Sequence, residues 1–294
     1  MSTSIRLPLA AALGVALLLS ACKKDRDTAP VSQVQPAASV AAEAPPEPID
    51  LKDVIESDAR YIIGISYPPE AAKYPGLALA LRRYADTARA ELLKTVAAAD
   101  PAKQSGLYDL TLNFTLLAET AEVVAVAADG SSFTGGAHGV PLVARFVWLP
   151  KQNQMLQSDS LVVDPGSWSS ISDYTREQLH AALSQRVDAD ELPPVERADV
   201  MRSVGRMIDA GTEPTAASFA AFEPVLAPDG DKLMGLRFVF PPYQVGPYID
   251  GVRTVEVPTS VLMPHLAPAH RGMFVVVKPS AAAQIDSDGV LPAQ

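Results

Sequence analysis

Four residues of this chain have types and neighbours that point to chemistry beyond packing: Cys22, His138, Tyr243 and Tyr248. Cys22 is the single cysteine, and it closes the run Leu19-Ser20-Ala21-Cys22. A leucine, two small residues and then a thiol is the pattern of the lipoprotein box. Its chemistry needs the sulfur, which attacks a diacylglycerol donor and becomes a thioether. A peptidase whose pocket takes small residues then cuts between Ala21 and Cys22. A lone cysteine in an exported chain has no internal disulfide partner. In an oxidising compartment a free thiol is a liability unless it is used, and acylation uses it.

The residues before Cys22 support that reading. Arg6 supplies a positive charge, and Leu7 to Leu19 is apolar apart from Pro8 near its start. That is the build of a secretory signal over 1–21. The run is shorter than the roughly 20 apolar residues that span a bilayer. Attachment to the membrane is therefore expected through acyl chains on Cys22 and not through a spanning helix. By resemblance to Gram-negative lipoproteins, Lys23 in place of an aspartate after the cysteine implies the outer membrane, facing the periplasm. From residue 22 to 48 the chain carries Pro30, Pro36, Pro45, Pro46 and Pro48 and no aromatic residue. Such a segment buries too little apolar surface to offset its ordering entropy, so it reads as an extended tether.

His138 sits in Phe133-Thr134-Gly135-Gly136-Ala137-His138-Gly139. Gly135 and Gly136 permit positive φ and a tight turn between strands. The imidazole can lock that turn by bonding a neighbouring backbone, or it can meet a ligand through either ring nitrogen. Tyr243 and Tyr248 flank Pro247 in a proline-rich segment. Their rings can cap the core, or they can form a stacking surface for a sugar or a protein partner.

Other chemistry finds little support. The four histidines are His138, His180, His265 and His270, without metal-ligand spacing and without a second cysteine. There is no Gly-x-Ser-x-Gly and no phosphate-cradling glycine loop. No cofactor, no metal and no catalytic residue is assigned, and the chain is not expected to be an enzyme. With 24 Lys and Arg against 34 Asp and Glu the net charge is −10. That opposes nucleic acid as a partner and suits a cationic one.

The elements that must carry these residues follow from periodicity. Tyr61–Ile65 reads as a strand, and Pro75–Ala98 as a helix with Leu77, Leu81, Tyr84, Ala88 and Leu92 on one face. Leu110, Leu112, Phe114 and Leu116 alternate with polar residues, as a half-buried strand requires. Further strands are expected at 122–128, closed by Asp129-Gly130, and at 142–149. Helices are expected over 168–183 and 195–210. Strands return at 219–226, 233–240 and 252–257, followed by a short helix over 260–266. Strands, then helices, then strands predict an α+β fold, with antiparallel sheet meanders and three main helices packed on the sheet. One domain over 49–268 is expected, with two subdomains at about 49–158 and 159–268 as the alternative division. A tail over 269–294 follows, with an edge strand at Met273–Val277.

Two segments in order, Phe133 to Gly139 and Phe238-Val239-Phe240-Pro241-Pro242-Tyr243-Gln244-Val245-Gly246-Pro247-Tyr248 with Val255-Glu256-Val257-Pro258 after it, carry a resemblance. They resemble the extracytoplasmic domain of RsiV-type lysozyme-binding anti-sigma factors. The same domain accompanies PdaC-type peptidoglycan deacetylases, and here it would stand on a free-standing lipoprotein. The resemblance covers Tyr61 to Leu266. The second proline of Pro241-Pro242 and the glycine at Gly139 depart from the pattern. The resemblance implies a binding or sensing module for lysozyme, another cationic envelope protein or peptidoglycan. The competing expectations are an envelope assembly lipoprotein and a hydrolase or deacetylase acting on peptidoglycan. The deacetylases' Asp-His-His metal set is absent. Gly135, Gly136, His138, Tyr243 and Tyr248 are the candidate binding residues, and Cys22 the lipidation site.

Overall fold

The computed structural model describes residues 49–276, apart from Lys103 and Ser105. The signal segment, Cys22, the tether and Val277 lie outside the described residues. The elements in chain order are strands β1 (Val54–Ser57) and β2 (Tyr61–Ser66), helix α1 (Pro75–Ala98), and strands β3 (Tyr108–Glu119), β4 (Val124–Phe133), β5 (Val140–Leu149) and β6 (Gln154–Met155). Helices α2 (Ser158–Leu161), α3 (Trp168–Ala189) and α4 (Pro194–Gly211) follow. The described chain ends with strands β7 (Phe222–Leu226), β8 (Leu233–Phe240) and β9 (Arg253–Pro258) and helices α5 (Thr259–Leu262) and α6 (Pro268–Arg271). The fold is α+β, with α1, α3 and α4 as its main helices.

Strands β1 to β6 form one sheet in sequence order, and β7 to β9 form a second, antiparallel one. One pairing breaks the meander: β2 runs parallel to β3, with Tyr61 opposite Tyr108 and Ser66 opposite Asn113. Parallel neighbours need a crossover, and α1, roughly 36 Å long at 1.5 Å per residue, supplies it. The C-terminal half of the helix is held by β1 and the β1–β2 connection. Arg89 forks onto Glu56 at 2.7 and 2.9 Å, and Arg60 donates to the Val96 carbonyl at the helix end.

The core divides by strand face. Even-numbered residues Val124, Val126, Ala128 and Trp148 join Leu77, Leu81 and Leu92 of α1 in one cluster. Odd-numbered residues Ala125, Val147 and Leu149 join Trp168, Phe219, Phe238 and Phe240 in another. Helix α3 lies against β9, and α4 packs along α3. The packed body runs on past Pro268, for Met273 and Phe274 are buried in the second cluster. Of the run expected as an edge strand, the described residues 273–276 show a parallel bridge from Phe274 to Leu233 and no named strand.

The turn expected at Asp129-Gly130 is absent. Strand β4 continues through it to Phe133, with Gly130 opposite Leu112 on one side and Leu142 on the other. The glycine is there for clearance: a Cβ would stand 2.0 Å from the Thr111 carbonyl oxygen. A mid-strand glycine thus marks close backbone approach and no turn. The strand expected from Phe219 begins instead at Phe222, after a 3₁₀ turn over Ala216–Phe219 that Thr215 caps through Ser218.

The two sheets are tied by charge as well as by apolar contact. Arg145 of β5 donates through Nε to Glu223 of β7 at 2.5 Å and through Nη1 to Asp129 at 2.9 Å. The Arg145 side chain is 8% exposed and that of Glu223 11%. Arg237 of β8 reaches the second Glu223 oxygen at 3.4 Å and pairs with Glu256. Removing one partner of a buried pair strands the other charge, at about 3–5 kcal/mol. Asp129 remains on Arg145, so Glu223→Ala is expected to cost about 3 kcal/mol, the lower end of that range. Glu256, whose side chain is half exposed, is expected to cost under about 1 kcal/mol on the same change. Urea unfolding of both variants checks the ordering.

Candidate functional site

His138 stands in the connection between β4 and β5. The polypeptide reverses through Gly135 and Gly136, at φ 96° and 107°, a region in which side chains are strained and glycine is not. Open space surrounds both α-carbons, so the turn needs these glycines for conformation alone. The reversal leaves His138 exposed at the tip.

Tyr243 and Tyr248 come from the connection between β8 and β9, more than a hundred residues away. That loop is pinned from below. Val245 is buried in the second core cluster. The Gln244 side-chain amide donates to the carbonyls of Gly211 and Ser218, both at 2.9 Å. Asp250 pairs with Arg186 of α3 at 2.6 Å and with Arg253 at 3.3 Å. Tyr243 itself has φ 75°. An aromatic residue there is an outlier, a strain of order 1–3 kcal/mol. Two bonds hold it: its N–H donates to the Gly246 carbonyl at 2.9 Å, and Gln244 N–H donates to Pro241.

The two connections meet in one aromatic cluster. The imidazole of His138 stacks on the ring of Tyr248, with centroids 4.0 Å apart and planes 15° from parallel. The Tyr243 hydroxyl lies 3.0 Å from His138 Nε2. His138 Nδ1 lies 3.2 Å from the Gly139 carbonyl. A carbonyl only accepts, so in the neutral ring Nδ1 carries the proton and Nε2 accepts from Tyr243. The two tyrosine rings stand 5.8 Å apart, tilted by 36°. Tyr243 is 53% exposed, and Ile249, next to Tyr248 in the same loop, is 91% exposed.

Every candidate binding residue named from the sequence thus lies in this cluster or in the turn that presents it. Sequence reasoning missed the supports: Gln244, Asp250 with Arg186, and the unusual backbone of Tyr243. Gln244 and Asp250 are ordinary loop residues by composition, and nothing in the local sequence marks their partners on α3 and α4. Cys22 lies outside the described residues. Among the described residues no three His, Cys, Asp or Glu side chains are grouped to hold a metal, and no helix is long and apolar enough to cross a membrane. The groups around His138 are hydroxyl, carbonyl and ring faces, which suit stacking and hydrogen bonding to a ligand surface.

Aromatic stacks are worth about 0.5–1.5 kcal/mol beyond their buried area. A double-mutant cycle with His138→Ala, Tyr248→Ala and the double variant is expected to give a coupling in that range by urea unfolding. A coupling below about 0.3 kcal/mol would mean that the rings do not support each other.

No family model matches the chain, and no curated protein matches it. Among solved structures, a DUF3298 family member from Bacteroides fragilis is similar at 16% identity with a TM-score of 0.48, covering 76% of this chain and 95% of its own. A DUF3298 family protein from Pseudomonas aeruginosa is similar at 14% identity with a TM-score of 0.47 and the same two coverages.

Proposed function

We propose that this chain is a cell-envelope lipoprotein, anchored through Cys22, whose folded part binds or senses a cationic protein of the lysozyme kind. Its contact surface would centre on His138, Tyr243 and Tyr248. The observation that carries this reading is Tyr243. A strained backbone persists only where the surroundings impose it, and such strain gathers at functional sites. Here the strain is spent on holding a large ring half in solvent, against His138 and Tyr248. Rigid aromatic side chains of this kind are the usual anchors of protein interfaces.

Charge favours the class of partner. The only ionisable side chain in the Pro241–Gly251 loop besides its tyrosines is Asp250, already paired with two arginines. The contact itself is therefore close to neutral, while the whole chain carries −10. A neutral aromatic centre on an acidic body suits a basic protein, with the long-range field speeding encounter and the rings giving affinity.

Immobilised chain is expected to retain lysozyme at low salt and to release it as ionic strength rises. Tyr243→Ala and Tyr248→Ala are each expected to cut retention about tenfold or more, as loss of an interface anchor does. Retention unchanged in both variants would remove the aromatic cluster as the contact. Retention of peptidoglycan fragments in place of lysozyme would move the ligand to the wall. Retention of neither would overturn the reading.

A further inference from the structure

A second site lies on the other side of the same hairpin. Between the C-terminal half of α1 and the far ends of β4 and β5 is a cavity of about 350 Å³. Its origin is legible in the residues. Toward one end of the sheet the α1 face is filled by Trp148 and Phe146. At the other end β4 offers Ser132 and α1 offers Ala88, two small side chains that both line the space. Leu92 and Leu142 wall the space, and Val140 stands at its edge, 62% exposed. Interiors are close-packed, with few voids larger than a water molecule. An apolar cavity of this size falls at the lower end of the range of small-ligand sites, about 300–1,000 Å³.

We propose that this cavity binds a hydrophobic amine: an apolar body in the cavity and an ammonium group at its mouth. The apolar half follows from Leu92, Leu142, Ala88 and Val140, whose exposed area a ligand would remove from water. The sign of the head group follows from Glu91, the only charged side chain among the described residues that line the cavity. Lys94 stands 3.7 Å from Glu91, but both side chains are more than two-thirds exposed, so that pair is weak and easily exchanged for another cation. The proposal does not rest on the aromatic cluster or its partner.

The test is calorimetric titration of the full chain with three probes of one tail length, each below its micelle concentration: decyltrimethylammonium, decanol and decanoate. The ammonium is expected to bind, and decanoate to bind at least about threefold more weakly. Glu91→Gln should weaken the ammonium about threefold and leave decanol unchanged. Ser132→Leu and Ala88→Leu fill the space and should abolish binding of every probe while the melting temperature holds or rises, as cavity filling does. Absence of binding by any probe, equal or tighter binding of decanoate, or binding that survives both filled variants in folded protein would each overturn the proposal.

Discussion

Strand β4 enters the fold on Val123-Val124-Ala125-Val126-Ala127-Ala128, a run without a polar side chain and buried throughout. A strand of that composition has to be covered on both faces, and the rest of the architecture answers that constraint. Helix α1 covers one face, and the second sheet with α3 covers the other. The second covering brings β7 against β5, where Glu223 faces the buried Arg145 at 2.5 Å and shares it with Asp129. Buried ion pairs are more convincing as specifiers of arrangement than as sources of stability. This one joins β5 of the first sheet to β7 of the second.

With the two sheets so placed, their end loops have to share space. The β4–β5 connection and the β8–β9 connection meet where each strand pair ends, and His138 is stacked on Tyr248 there. The support is uneven by design of the fold: Val245, Gln244 and Asp250 root the tyrosine loop in buried or paired contacts, whereas the histidine turn rests on two glycines and its own backbone. The strand ends that carry this turn line the apolar cavity through Ser132 and Val140, so the hairpin separates two surfaces of different chemistry.

Much of this was legible from residue pattern. The bounds of α1 follow from Pro75 at the first turn and from the apolar face Leu77-Leu81-Leu92, and the period-two run from Leu110 gave β3 its buried face. The α+β class follows from element order. Three things were not legible. Gly130 read as a turn because glycine after aspartate usually is one; only the approach of the Thr111 carbonyl explains it. The parallel β2–β3 pair depends on which edge α1 returns to, a tertiary choice with no local signature. Strand β1 is four residues with Ile55 88% exposed, too short to show a period. At the site, the residue types of both motifs pointed to His138, Tyr243 and Tyr248. Their meeting could not be read, because contact across 105 positions depends on how the sheets pack.

Two distant loops form one aromatic cluster, and nuclear Overhauser contacts between ring protons report on that meeting without an intermediary. Cross-peaks are expected between the imidazole protons of His138 and the ring protons of Tyr248, as centroids 4.0 Å apart require, with Tyr243 ring protons nearby. A well-folded chain whose His138 resonances show no contact to either tyrosine would contradict it.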